Sequence, residues 1–301
     1  MTTQMMPRLH VGDGWRAGTL TLFPVWVEGP TVHGLSVGTG GVEVAERDGA
    51  PVVGELVLSN TSDRPVLLFE GELLEGGWQH RVLNADLLLG VGKAQVAEVS
   101  CVEQGRWSGT ARHARRARLA SGSVRLGLRG HPSGRQSDVW RRVSRFEPAL
   151  GPTPTFSLAD HLDRVGSGTD AAGHPMGRGD ASHVPTRPLS GQRGVIVGLG
   201  GRPAWLEILP TARALAEYWT ALVDAALLDG QLAIRRATPG QAARDFAATC
   251  RSLPLGRVGL AGAAIAVAGS RGSLTARGVA AAQAQLLHVL AFDRDHRVWE
   301  D

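Results

Sequence analysis

The sequence predicts an α+β fold, with a mainly antiparallel sheet or sandwich-like core, several amphipathic helices and a long loop rich in glycine and proline. Three observations favour this fold. Short apolar segments separated by turn residues fill residues 18–109, helical spacing of apolar residues follows at 136–150, and residues 166–188 lack any periodicity. The composition, 43% hydrophobic and 20% charged, is typical of a globular protein and excludes a largely disordered one.

The β-rich part is predicted over residues 18–109. The first seventeen residues are polar and glycine-rich, and we expect no regular structure there. Strands are predicted at residues 19–27, 42–46, 52–58, 66–69, 87–91 and 95–102. Because the links between them are short, we expect residues 66–70, 81–91 and 95–102 to form adjacent antiparallel strands. Such a meander would bring the polar residues that follow the first and third strands to one edge of the sheet.

The central part, residues 110–165, is basic and predicted to be mainly helical. Residues 111–118 read ARHARRAR and are consistent with a short helix or an extended loop, whereas residues 136–150 predict an amphipathic helix. A mobile loop is predicted over residues 166–193.

The C-terminal α/β part is predicted over residues 194–292. It would begin with a hairpin and continue with helices starting near Pro210 and Pro239. The final strands are predicted at residues 258–268 and 279–292, paired across the turn between them. All parts together are predicted to form a single α+β domain over residues 18–301.

Two clusters of polar residues flank the predicted strands and carry the candidate ligand-binding site. The candidate residues are Glu72, Gln79, Arg81, Asn84, Glu103, Gln104, Arg106 and Trp107. An indole can stack on a nucleobase, an arginine suits bidentate contact with phosphate, and a glutamate or glutamine can bond ribose hydroxyls. In the alternative interpretation, Trp107 caps the core while Arg106 pairs with Glu72 or Glu103 in a structural network. The sequence leaves both interpretations open.

The same residues carry a family resemblance. The block EGELLEGGWQHRVLNADLLL, followed by VSCVEQGRWSG, resembles the family of ARG and rhodanese-phosphatase-superfamily-associated protein domains. The positions that fit its pattern are Gly71, Glu72, Leu74, Gly77, Gln79, Arg81, Asn84, Cys101, Glu103, Gly105, Arg106 and Trp107. His80 departs from it, because the pattern has Asn before the arginine. The resemblance implies a bacterial-type domain associated with NAD and ADP-ribose metabolism, without a settled activity.

Charge is distributed unevenly along the chain. Residues 104–146 contain eleven arginines and a single acidic residue, Asp138, in a protein whose overall net charge is +4. This asymmetry suggests an anionic partner. The candidate nucleic-acid contacts are Arg112, Arg115, Arg116, Arg118, Arg141, Arg142 and Arg145. Weak, non-specific nucleic-acid binding is therefore the alternative to a small nucleotide-like ligand, and a non-catalytic scaffold is the third hypothesis.

Several classes of site lack their sequence signals. Glu70 and Glu72 have no further ligands at metal-binding spacing, so no metal site is predicted and no cofactor can be named. Cys101 follows an apolar run and is expected to be a buried structural thiol rather than a nucleophile. No phosphate-binding glycine loop or nucleophile elbow is present. The sequence therefore does not decide whether the protein is an enzyme.

The sequence also predicts a compartment. The longest apolar run, at residues 260–268, is far shorter than the roughly 20 residues of a membrane helix. The first thirty residues lack the pattern of a signal peptide, and two cysteines form no disulfide framework. We therefore expect a cytoplasmic protein without a membrane partner.

Overall fold

The computed structural model describes residues 4–47, 49, 52–168, 184–282 and 285–300. These residues form two compact units. Unit 1 comprises the described residues of Met1–His33, Gly177–Thr220 and Asp229–Asp301, and unit 2 comprises those of Gly34–Met176 and Ala221–Leu228. The α+β prediction with mainly antiparallel strands is confirmed. The prediction of a single domain stays a prediction. Most of the predicted mobile loop falls on residues 169–183, which lie outside the described residues.

The strands are numbered in chain order. They are β1 (Leu9–Val11), β2 (Trp15–Ala17), β3 (Leu20–Val27), β4 (Val42–Ala45), β5 (Glu55–Asn60), β6 (Val66–Leu68), β7 (Glu72–Gly76), β8 (Arg81–Leu83), β9 (Leu87–Leu89), β10 (Ala94–Cys101), β11 (Arg112–Leu119), β12 (Gly194–Leu199), β13 (Arg202–Ile208), β14 (Gly256–Ala261), β15 (Ala264–Arg271), β16 (Leu274–Ala280) and β17 (Leu286–Asp293).

The helices are α1 (Gly122–Gly127), α2 (Pro132–Ser144), α3 (Glu147–Leu150), α4 (Leu158–Ser167), α5 (Ala212–Gly230) and α6 (Gly240–Arg251), with a short 3-10 helix at Arg297–Trp299. Where the chain is described, no helix is both long and apolar enough to cross a membrane.

Unit 1 is built on an antiparallel sheet with the order β1-β3-β12-β13-β17-β16-β15-β14, and β2 pairs with β3 beside β1. Helix α6 packs on this sheet through Ala243, Ala247 and Cys250. These residues are spaced by four and three positions, so they lie on one side of the helix. Their small side chains join Phe23 and Ile196 of the sheet in a continuous apolar core.

Unit 2 is built on a closed six-stranded barrel with the order β10-β5-β4-β11-β7-β8. The strands of the barrel bury one of their two sides. In strand β5 the residues alternate between buried and half-buried positions, and Leu56 and Leu58 face the core. They meet Val44, Leu83 and Val99 from the other strands. A closed barrel leaves no sheet edge exposed, because the last strand, β8, pairs back with β10.

The two predicted pairings are confirmed, because β6 pairs antiparallel with β9 and β8 pairs antiparallel with β10. The prediction of one continuous meander is wrong, since residues 81–91 form two strands, with β8 in the barrel and β9 in a separate two-stranded sheet. A strand that the sequence analysis missed, β7, lies beside β8. Its residues Glu72–Gly76 are buried almost continuously, so they show no alternation of apolar and polar residues. Gly76 and Gly77 have φ of 102° and 57° and reverse the chain toward β8.

Residues 111–118 form neither a helix nor an irregular loop. Most of them belong to β11, in which His113 and Arg115 are buried whereas Arg112, Ala114 and Arg116 are exposed. The alternation has the period of a strand, but the inward residues are polar. The usual alternation of hydrophobicity is therefore absent from this strand.

Three other expectations needed correction. Residues 9–17 contain β1 and β2, which are regular because they pair with the strand that follows them, β3. The predicted helix at 136–150 is divided into α2 and α3, since Pro148 lacks the N–H group that would continue it. The final segment holds four strands instead of two, because the chain reverses at Gly262, which has positive φ, within the first predicted strand, and reverses again between β16 and β17, within the second.

Candidate functional site

The inward side of the barrel changes from apolar to polar toward one end. Arg81 lies two residues before the core residue Leu83 on β8, and Cys101 lies two residues after Val99 on β10. Residues two apart on a strand face the same side, so both point inward. Arg81 also lies directly opposite both Leu74 and Cys101 in the register. This polar end, with the residues that cover it, is called the barrel end below.

Arg81 is the central residue of the barrel end. Its exposure is 0%, and its Nη1 donates a hydrogen bond of 3.0 Å to Oε1 of Gln79, which is also buried. Its Nε and Nη2 are buried, and neither has a hydrogen-bond partner among the described residues. These two N–H groups form one edge of the planar guanidinium, the edge that binds carboxylate or phosphate through two parallel hydrogen bonds.

Trp107 lies over this arginine, and Trp78 packs beside Trp107. The guanidinium carbon of Arg81 is 5.8 Å from the ring centroid of Trp107, a distance at which a cation is attracted to the ring. Trp107 is 50% exposed, and its ring is 6.0 Å from that of Trp78 at an interplanar angle of 60°. The exposed part of the indole is therefore available to a planar group from solvent.

A buried carboxylate and imidazole lie at the same end. His113 is opposite Val44 in the register, and Glu46 is two residues beyond Val44. His113 Nε2 is 3.1 Å from Glu46 Oε1, and its Nδ1 is 3.2 Å from the carbonyl oxygen of Leu74. Burial lowers the pKa of His113, although Glu46 acts in the opposite direction. Glu46 Oε2 is buried, without a hydrogen-bond partner in the described part of the chain.

The loop between β7 and β8 covers the imidazole. A Cβ atom at Gly77 would lie 2.1 Å from the His113 ring, and φ of Gly77 is 57°. Any larger residue would collide with the ring and would strain the backbone. Gly77 is therefore required where the loop closes over His113.

Arg106 holds this loop in place. Its Nε and Nη2 donate to the two carboxylate oxygens of Glu103 at 2.9 and 2.7 Å. The remaining donors bond the carbonyl oxygens of Gly76, Gly77 and Ser108 at distances of 2.7–3.1 Å. The five N–H groups of a guanidinium are thus matched by five hydrogen bonds. Arg106 is a clamp between two segments, and its edge is already occupied by Glu103.

Glu103 is equally well satisfied. Its oxygens also accept hydrogen bonds from the backbone N–H of His80 at 3.0 Å and from the hydroxyl of Thr155 at 2.8 Å. Burial alone would raise the pKa of Glu103, but the hydrogen bonds from Arg106, His80 and Thr155 outweigh it and hold the pKa below its usual value. The carboxylate therefore stays ionised and structural.

The other candidate residues have separate surroundings. Glu72 is fully buried and accepts a hydrogen bond of 2.8 Å from Nε of Arg115, so this pair is internal to the barrel. Asn84 accepts a hydrogen bond of 2.7 Å from Ser100 and is also buried. Gln104 is exposed. The structure thus brings Gln79, Arg81 and Trp107 together directly, places the Glu103–Arg106 clamp beside them, and engages Glu72 and Asn84 elsewhere.

Residues 8–292 match the family model described as ARPP-1, the ARG and Rhodanese-Phosphatase-superfamily-associated Protein domain. The chain belongs to this family. No curated protein and no solved structure matches the chain. The resemblance found in the sequence is thereby confirmed for the family, and the matched residues include the whole barrel end of this ARPP-1 domain.

The arginines of the nucleic-acid alternative have different surroundings in the ARPP-1 domain. Arg112, Arg116 and Arg141 are exposed. The charges of four arginines are paired with carboxylates: Arg115 with Glu72, Arg118 with Glu75 and Asp163, and Arg141 and Arg142 with Asp138. Arg145 is half-buried. Much of the positive charge of residues 104–146 is therefore balanced within unit 2.

The cysteines of the ARPP-1 domain are both free and buried. Burial raises the pKa of the Cys101 thiol to about 11, although the nearby charge of Arg81 acts to lower it. A thiol with this pKa is almost entirely protonated at neutral pH, which suits a structural residue rather than a nucleophile. Among the described residues, no group of three or more His, Cys, Asp or Glu side chains could hold a metal ion.

Sequence analysis missed Glu46 and His113. They are separated by 67 positions, with Glu46 directly after β4 and His113 on β11, so no local motif joins them. The signal that could have revealed them is the strand-like alternation of polar residues in β11. It also missed the role of Gly77, although this glycine lies within the family pattern.

Proposed function

We propose that the barrel end of unit 2 binds a small ligand of the nucleotide class, of the ADP-ribose or NAD type. One observation carries the proposal. The Nε–Nη2 edge of Arg81 is buried without a hydrogen-bond partner among the described residues, beneath a half-exposed Trp107. A nucleotide carries the two groups that this arrangement suits, a planar base and a phosphate oxyanion.

The energetics support the same ligand class. Leaving a buried donor without a partner costs about 1–3 kcal/mol. A phosphate or carboxylate at this edge would remove that cost through two charge-assisted hydrogen bonds. Stacking of a base on an exposed aromatic ring contributes roughly 1–3 kcal/mol. Arg81 therefore takes the anion-binding role that the sequence had assigned to Arg106, and Gln79 orients Arg81.

Nucleic-acid binding is the second candidate function, and the exposed Arg112 and Arg116 favour it. The ion pairs of Arg115, Arg118, Arg141 and Arg142 weigh against a large binding surface. We expect at most weak, non-specific affinity with a steep dependence on salt concentration, because phosphate contacts release counterions. A scaffold without a ligand is the third candidate. A cytoplasmic location belongs to the proposal, since free, unpaired cysteines suit a reducing compartment.

Isothermal titration with ADP-ribose, NAD and AMP tests the proposed function. The Trp107→Ala variant should bind about 5–150 times more weakly, which corresponds to a loss of roughly 1–3 kcal/mol. The Arg81→Lys variant should also bind more weakly, because a lysine lacks the planar edge. The matched control is Arg115→Lys, which changes another buried arginine that already has a carboxylate partner.

Saturable binding that Trp107→Ala and Arg81→Lys weaken, and that folded Arg115→Lys retains, is the result we expect. If the wild type binds only DNA or RNA, with an affinity that falls as salt rises, the nucleic-acid candidate replaces the proposed function. Absence of both kinds of binding leaves the scaffold. If wild type and Trp107→Ala bind a nucleotide equally well, the ligand does not use the barrel end.

A further inference from the structure

The barrel end holds a second buried polar group without a partner for one of its atoms among the described residues, and this atom is an acceptor. Besides the donor edge of Arg81, Oε2 of Glu46 has no hydrogen-bond partner there. His113, which bonds Glu46, also lies within the electrostatic influence of Arg81. Cys101 lies within the influence of both charges. The donor edge and the acceptor oxygen therefore belong to one cluster.

Each of these groups is fixed by a contact on its other side. Gln79 holds Nη1 of Arg81, and His113 holds Oε1 of Glu46. His113 is in turn oriented by the carbonyl of Leu74 on the neighbouring strand. Side chains fixed by such contacts keep their directions, so the unpaired atoms are preorganised for binding.

The proton count on the Glu46–His113 pair determines what Oε2 can bind. A carbonyl oxygen only accepts, so Nδ1 of His113 must carry a hydrogen to bond Leu74. The contact between Nε2 and Oε1 then needs one further proton, which resides either on the imidazole or on the carboxyl group. In both cases this proton lies between Nε2 and Oε1. Oε2 therefore carries no proton and acts as an acceptor in both states.

From these two unpaired groups we infer that the barrel end takes a hydroxylated phosphate, with its phosphate oxygens on the Nε–Nη2 edge of Arg81 and a sugar hydroxyl donating to Oε2 of Glu46. This inference rests on the proposed function, and it identifies the sugar-phosphate part of the nucleotide as the part that enters the barrel. The base would remain outside, at Trp107. Glu46 is then a specificity-determining residue, because it distinguishes a phosphate that carries a hydroxyl from one that does not.

A pair of probes tests this without any mutation. Ribose 5-phosphate and methyl phosphate share the phosphate group, but only the sugar phosphate has hydroxyls to offer to Glu46. We expect wild-type protein to bind ribose 5-phosphate roughly ten times more tightly or better, as one buried hydrogen bond would give. Equal affinities for the two probes in the wild type would overturn the inference.

Two variants of Glu46 locate the source of the preference. In Glu46→Leu the acceptor is removed at similar volume, and the preference for ribose 5-phosphate should disappear. In Glu46→Gln the amide nitrogen can donate to Nε2 of His113, and the amide oxygen can accept from the ligand, so the preference should persist. A preference that persists in folded Glu46→Leu would also overturn the inference. If Glu46→Leu does not fold, the comparison of the two probes in the wild type and the Glu46→Gln variant still test the inference. Loss of the preference in folded Glu46→Gln would contradict the assignment of Oε2 as an acceptor.

The outcomes separate this inference from the proposed function. If ADP-ribose binds through Trp107 and Arg81 but the two phosphates bind equally, the proposed function stands and the inference fails. If ribose 5-phosphate is preferred through Glu46 but no nucleotide binds, the inference about the buried group stands and the proposed nucleotide function fails. If none of these probes binds, both fail.

Discussion

Two inward-facing arginines of the barrel have opposite surroundings. On one wall, Arg115 donates to the buried carboxylate of Glu72 at 2.8 Å and to the carbonyl of Gly38 at 3.0 Å. At the barrel end, Arg81 is also buried, but its side-chain hydrogen bond among the described residues is a single one, from Nη1 to the neutral amide of Gln79. The same residue type thus serves the fold in one place and leaves a donor edge unpaired in the other. Buried polarity that the fold leaves unsatisfied is a sign of a site.

The largest expected effect on stability comes from removing Glu72, the carboxylate partner of Arg115. In Glu72→Leu, Arg115 keeps its charge in the barrel without its carboxylate. Removing one member of a buried ion pair typically costs about 3–5 kcal/mol, and we expect a loss of that size in the free energy of unfolding, measured by urea denaturation. Replacing both residues by leucine should recover much of the loss. A loss below about 1 kcal/mol in Glu72→Leu would contradict the pairing.

His161 is a third buried side chain that can carry a positive charge, but a histidine can lose its charge whereas an arginine cannot. Its ring is buried beside Phe146, and neither nitrogen has a hydrogen-bond partner among the described residues. Burial, assisted by the charge of Arg164, lowers the pKa of His161 to about 4. Neutral His161 is therefore the form that the folded state favours at neutral pH.

The pH dependence follows from this direction. Between pH 6.5 and about 4 the unfolded chain binds a proton at His161 that the folded chain does not, so stability falls as the pH falls. In His161→Phe this contribution is absent. As the pH falls from 6.5 to about 4, we expect the free energy of unfolding of the variant to rise relative to that of wild type by up to about 3 kcal/mol. Urea denaturation at several pH values measures this difference. A difference that is independent of pH would show that His161 is protonated alike in both states.

Weakening the Arg106 clamp on the β7–β8 loop should have a smaller effect on the free energy of unfolding. Arg106→Lys keeps the positive charge but cannot make the parallel bonds to Glu103 or reach all three carbonyl groups. Because Arg106 is partly exposed, we expect a loss of only about 1–2 kcal/mol in unfolding free energy. Exchange of the backbone amides at Gly76 and Gly77 should become faster. Unchanged exchange there would contradict the assignment of Arg106 as a clamp.

The sequence was most informative where the chemistry is local. Glu103, Arg106 and Trp107 lie within five residues, so a family pattern and a strand end sufficed to group them. Leu20–Val27 was predicted because its apolar residues follow a strand pattern in one segment. The α+β class followed from such segments and from amphipathic helices such as α6.

The features that could not be predicted from the sequence arise from strand pairing in the closed barrel. Strand β11 was missed because its inward residues are His113 and Arg115, which reverses the usual hydrophobic signal. Glu46 and His113 meet only because β4 and β11 are neighbours in the barrel. Long-range pairing decides both, and local periodicity does not encode it. For Arg106 the sequence left phosphate binding and pairing with Glu72 or Glu103 both open, and the structure shows that Glu103 occupies its Nε–Nη2 edge.

The most direct measurement of the central claim is a paired assay of Arg81→Met, in which the stem is kept and the guanidinium is removed. Because the Nε–Nη2 edge contributes no hydrogen bond to described residues, we expect the free energy of unfolding to change by less than about 1 kcal/mol or to rise. We expect the same variant to lose binding of ADP-ribose and ribose 5-phosphate. A loss of about 3 kcal/mol or more in stability, with ligand binding retained, would contradict the account and make Arg81 a structural residue like Arg115.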